Sequence, residues 1–172
     1  MMLKFAGAGL VLLACLGYIF SREREFLEHK KQLEEFAMLL SLLQNEMCLL
    51  RLPLELALEH AGMHLHNPYR SLCTLTGEEL DRRRGSAQEI WRGLLEKRKR
   101  EFLLDDEEFR LLVETGEVLG MGNAEFKEEL FAVYEKRLEG LADSYETSLE
   151  GRRRVSRYGT LFAGIFLIIL FI

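Results

Sequence analysis

Both ends of this 172-residue chain are apolar runs nearly free of charge, and they constrain the fold more than anything between them. Residues 5–20 carry no charged side chain, and neither do residues 158–172, where Phe162, Ile165, Phe166, Leu167, Ile168, Ile169, Leu170 and Phe171 would make a helix apolar all round. Such a helix needs lipid or a fully buried slot. The second run reaches only about 22 Å as a helix, against a hydrocarbon core of roughly 30 Å. Arg152, Arg153, Arg154 and Arg157 precede it, and arginine stems can lie along the apolar zone with their heads in the phosphate layer. Two transmembrane helices are therefore expected, over 1–20 and 158–172, with one domain over 21–157 between them.

Cleavage is the alternative for the first run, because Lys4 and a short apolar core also fit a signal peptide, or a lipoprotein signal at Cys15. The run continues past Cys15 to Phe20, beyond the place where a cleavage site belongs, which favours a retained helix. Flanking charge sets the topology. Arg22, Arg24, Lys30 and Lys31 follow the first run, the four arginines precede the second, and only Lys4 lies on the far side. By the positive-inside rule the middle domain is cytoplasmic and both termini are outside. Cys15, Cys48 and Cys73 are odd in number and widely spaced, as expected of reduced thiols rather than a disulfide framework.

The middle domain reads as helix throughout. Apolar residues at Phe26, Leu33, Phe36, Ala37, Leu40, Leu43, Met47 and Leu50 recur at helical steps up to Pro53, which ends or kinks the first helix. Leu54, Ala57, Leu58 and Ala61 give a short helix that Gly62 is expected to stop. Asn67-Pro68 marks a turn, and Tyr69, Leu72, Leu75 and Leu80 a third helix, interrupted or capped near Thr76-Gly77. Ser86 with Glu89 and Asp105 with Glu108 have capping-box spacing, each ahead of an apolar stripe: Ile90, Trp91, Leu94 and Leu95, then Phe109, Leu112, Val113, Gly116 and Leu119. Asn123 caps the longest helix, whose stripe is Phe126, Leu130, Val133, Tyr134, Leu138, Leu141, Tyr145 and Leu149 and which can run on into the terminal anchor. No β-type alternation occurs, so the expected fold is all-α: an antiparallel bundle of about six helices flanked by the two transmembrane helices.

No catalytic constellation emerges. His60 and His64 would share a helical face with His66 nearby, but no further ligand stands at metal-site spacing. Gly120-Met121-Gly122 lacks the preceding strand that aims a phosphate loop and reads as a turn between helices. The basic runs Arg82–Arg84 and Lys97–Arg100 fit solvated helix ends. All 28 acidic residues lie in the middle domain, and nucleic-acid binding wants a positive face. Trp91 reads as a core residue whose indole N–H needs one polar partner.

The order of parts resembles the stage III sporulation protein AB family across essentially the whole chain. The residues that carry the likeness are Leu39-x-x-Leu42 with Glu46-Met47, Pro53-Leu54-x-x-Ala57, Gly85-Ser86-Ala87 ahead of Trp91, and Gly116-Glu117-x-Leu119-Gly120. The chain departs from the family pattern at Asn123, usually acidic, and at Lys127, usually glutamine. The resemblance implies a membrane protein of endospore-forming bacteria in the outer forespore membrane, its main domain in the mother-cell cytoplasm. It also implies a helical domain similar to the platform protein of type II secretion and type IV pilus systems. The implied role is a non-enzymatic scaffold in the channel between mother cell and forespore, without a cofactor. It would dock a secretion-type ATPase, stage III sporulation protein AA, and other channel components. Glu46, Pro53, Leu119, Gly120 and Asn123, near the turns, are the candidate docking residues. A membrane-tethered metal enzyme using His60, His64 and His66, or a self-associating tether, are the alternatives.

Overall fold

The computed structural model describes residues 24, 26–82, 85–123 and 126–144. The chain divides into two units, His29–Ala142 and the two chain ends taken together. Only a few residues of the second unit are among those described. The expected transmembrane helices, the arginines Arg22, Arg152, Arg153, Arg154 and Arg157, and the run of the last helix beyond residue 144 lie outside the described residues; Arg24 is exposed. No described helix is long and apolar enough to cross a membrane.

The His29–Ala142 unit is all-α among the described residues. Helix α1 covers 26–44 and passes into a π-helical turn, Asn45–Leu49. Helices α2 (Leu54–His64), α3 (Tyr69–Asp81), α4 (Ala87–Arg98) and α5 (Asp106–Leu119) follow, with a 3-10 turn at Lys99–Glu101, and α6 covers 126–144. Consecutive helices pack in turn: α2 on α3, α3 on α4, α4 on α5. One core joins them, with Trp91, Tyr69, Phe36, Phe131 and leucines of α1, α2, α3, α4 and α5 fully buried.

Both capping boxes form. The Ser86 hydroxyl accepts from the Glu89 N–H, and the Glu89 carboxylate accepts from the Ser86 N–H. At α5 the Asp105 carboxylate accepts from the Glu107 and Glu108 N–H groups while Glu108 accepts from the Asp105 N–H. These contacts satisfy donors that the first helical turn leaves without intrahelical partners. Trp91 is core, and its indole N–H donates to the Leu112 carbonyl at 2.8 Å. Gly116 lies against its ring: a Cβ there would stand 2.5 Å from Trp91 Cδ1. That glycine is what lets α4 and α5 approach so closely.

Three expectations need correction. Gly62 does not stop α2, which continues to His64; it is buried where α2 meets α3, with Cys73 Cβ 3.4 Å from where its own Cβ would be. Likewise α3 passes through Thr76-Gly77 unbroken, because the Thr76 hydroxyl is satisfied by the Leu72 carbonyl one turn back, at 2.7 Å. On α6 the buried face is Phe131, Tyr134 and Leu138, whereas Phe126 and Val133 are 51% and 56% exposed. Tyr134 and Leu138 of the expected stripe are thus buried and Leu130 and Leu141 partly so, while Phe131, outside the stripe, joins the core.

Candidate docking surface

The first helix ends before Pro53 rather than at it. Proline disfavours helical geometry in the residue before it, and α1 has already unwound through the π turn, where the Leu50 N–H bonds the Asn45 carbonyl at 3.0 Å. Arg51 then adopts a left-handed φ of 53° and the Leu52 N–H returns to the Glu46 carbonyl at 2.9 Å. Pro53 becomes the residue that opens α2. Glu46 is clamped in turn, its carboxylate 3.2 Å from His60 Nδ1 on α2.

This reversal lies beside the start of α6. Cys48 is close enough to Lys127 and Glu128 for their charges to act on its thiol; burial pushes the thiol up, Glu128 adds to that rise and Lys127 opposes it. Burial also pushes the Lys127 ammonium down. The α5–α6 turn leads directly into this point, and the Asn123 carbonyl accepts the first helical bond of α6 from the Lys127 N–H at 3.1 Å. One end of the unit, its tip, is therefore built from the α1–α2 and α5–α6 turns.

Four of the five expected docking positions fit that surface. Pro53, Gly120 and Asn123 are exposed at the tip and Glu46 is partly buried. Leu119 is 3% exposed and belongs to the core, so it supports the turn from within. Periodicity puts Leu50 in the buried stripe of the first helix and passes over Leu49, whereas both are exposed at the end of the π turn, 63% and 67%.

Elsewhere a polar seam fastens α1. His29 Nε2 is 2.8 Å from Glu108 Oε2, a carboxylate with 1% of its side chain exposed. The Gln32 carboxamide oxygen accepts from the Leu103 N–H at 2.8 Å. Glu35 takes both the N–H and Nδ1 of His66, at 2.9 and 2.6 Å. Next to this seam Tyr69 stacks on Phe36 and meets Phe102 edge-on; burial pushes its phenol well above the ordinary range, and Glu108 and Glu35 add to the rise. His60 and His66 thus serve separate carboxylates, and no group of three potential metal ligands forms among the described residues. Three cations of the basic runs pair locally, Arg82 with Glu78 and Glu79, Arg98 with Glu101 and Lys99 with Asp106; Arg83 and Arg84 lie outside the described residues.

The family model for stage III sporulation protein AB matches residues 4–172. Stage III sporulation protein AB of Bacillus subtilis (strain 168) is 25% identical over 170 residues, covering 98% of this chain and 99% of that one. A solved structure of a stage III sporulation protein AB superposes with a TM-score of 0.65 at 23% identity, covering 72% of this chain and 97% of the other. The fold is thereby shared with that structure, and the match over nearly the full length shows that the chain belongs to the stage III sporulation protein AB family.

Proposed function

We propose that the chain is a non-enzymatic membrane platform of the channel between mother cell and forespore. It sits in the outer forespore membrane, presents its helical unit to the mother-cell cytoplasm and docks a secretion-type ATPase, stage III sporulation protein AA, among other channel components. Membership of a sporulation protein family supports the setting. The observation that carries the docking role is the tip. Helix α1 runs toward it and α6 runs away from it, so His29 and Ala142, where the chain leaves the unit, each lie one helix length of about 24 Å from the surface that holds the turn residues. A unit tethered through both of those points presents its turns to the solvent side. The polar groups that are close together, such as His29 with Glu108 and Glu35 with His66, act as fasteners between helices.

Binding of the purified ATPase to the full-length chain in lipid nanodiscs tests the reading. A Kd in the micromolar range is expected of a transient assembly contact, and no binding at tens of micromolar sinks it. Light scattering of the same preparation separates a platform from a tether that self-associates.

A further inference from the structure

We propose that the tip meets the motor ATPase through Leu49, Leu50 and Phe126, seated in an apolar pocket on the ATPase that has a basic rim. This rests on the platform reading and assigns its contact residues. The three side chains are 67%, 63% and 51% exposed. Apolar surface left in water here is surface that a docked partner would bury to its gain.

Their presentation is rigid. Arg51 holds a left-handed backbone that a non-glycine residue adopts only at a cost, and the bonds from the Leu50 and Leu52 N–H groups back into the π turn keep it there. With Glu46 fixed by His60, the leucines sit on a braced turn, so docking loses little chain entropy. Strain gathered at an exposed apolar point is a recognised mark of a contact site.

The rim decides the partner's charge. Glu55 opens α2, Glu128 and Glu129 open α6, and all three are exposed. The cations nearby are Arg51, which is exposed, and Lys127, which is partly buried beside Cys48. Carboxylates dominate this surface, so its complement carries lysine or arginine around an apolar centre. The same carboxylates would repel an anionic lipid surface.

The test uses the full-length chain in nanodiscs and the purified ATPase of the same organism, read by biolayer interferometry. Leu49→Ser with Leu50→Ser is expected to weaken binding by at least about tenfold. Glu128→Gln with Glu129→Gln is expected to slow association and flatten its salt dependence. Met63→Ser is the control: Met63 is 61% exposed at the far end of α2, and its loss should leave binding unchanged. Circular dichroism should be the same for all variants, since the altered side chains are exposed. If the unmodified chain binds and the leucine pair variant binds equally well, the contact assignment is overturned while the platform reading stands. Equal weakening by Met63→Ser overturns the assignment too, as does a leucine variant that dissolves a dimer yet still binds the ATPase. If the unmodified chain does not bind, both fail.

Discussion

Gly116→Ala is the sharpest probe of the packing, because two effects of known sign oppose each other at one atom. Alanine gains about 1 kcal/mol over glycine in a helix interior. Against that, the added Cβ would stand 2.5, 3.0 and 3.2 Å from Trp91 Cδ1, Cγ and Cβ, where carbon atoms pack at about 3.5–4.0 Å. The ring cannot simply rotate away, since one of the close atoms is the tryptophan Cβ itself. Helices α4 and α5 must separate by close to 1 Å, and overpacking of this kind costs about 1–3 kcal/mol. Separation also stretches the 2.8 Å bond from the indole to Leu112, worth about 1 kcal/mol. The net expectation is a loss of about 1–3 kcal/mol in spite of the better helix former. Trp91 is the only tryptophan, so denaturant unfolding followed by its fluorescence reports from the altered contact. Gly77→Ala and Gly93→Ala are matched controls inside α3 and α4, where a Cβ meets nothing within 4 Å; each should gain about 0.5–1 kcal/mol. A Gly116→Ala protein stabilised as much as the Gly93→Ala protein would refute the reasoning.

Glu108→Ala should cost about 3 kcal/mol or more in the same unfolding assay, since it removes a buried partner of His29 together with the reciprocal half of the α5 capping box; Glu108→Gln, which keeps an acceptor oxygen, should cost less. Ser86→Ala should cost about 1 kcal/mol through the lost α4 cap and raise the Glu89 carboxyl only part of the way back toward its ordinary 4.5, because the Ser86 backbone N–H, the larger of the two contacts that hold it down, survives the substitution. A depressed carboxyl contributes stability present above its unfolded value and lost as pH falls through its folded one, so the Ser86→Ala difference should shrink below about pH 4.5; an NMR titration of Glu89 in both proteins checks the shift. Burial pushes the Cys73 thiol up to about 12, so alkylation of the native protein at pH 8, mapped by mass spectrometry, should modify the half-buried Cys48 at least about tenfold faster than Cys73. Equal rates would show that α2 and α3 open readily.

What was legible beforehand was local. Ser86 with Glu89 and Asp105 with Glu108 announce helix starts because a capping box closes within four residues, and both formed as read. Trp91 had to bury its ring and find one acceptor, although Leu112 as that acceptor could not be named in advance. Long-range geometry was hidden. The His29–Glu108 pair spans 79 positions, and nothing in either neighbourhood points to the other. On α6 the expected stripe holds at Tyr134 and Leu138 and fails at Phe126 and Val133, which are exposed, while Phe131 lies outside it and is fully buried; only the shape of the core decides where the edge of the stripe falls. Gly62 and Gly77 looked like stops because a glycine's helix penalty is visible in sequence, whereas the close approach that makes Gly62 useful is not. At the tip, the turn residues are readable, while Leu50 fits the buried stripe by spacing and is nonetheless exposed.

Glu108 Oε2 accepts from the Asp105 N–H and is also the oxygen that faces His29, each at 2.8 Å. One atom therefore belongs to two structures, the cap of α5 and the seam of α1. Peeling α1 away would strip that oxygen of His29 and leave it with the cap alone, and fraying the cap would turn the same oxygen away from His29. Opening at either place is thus penalised at the other, and the coupling is reciprocal by thermodynamic necessity. Amide exchange at the start of α5 should follow the attachment of α1, so a tug on the chain ahead of His29 would be felt 79 residues further along.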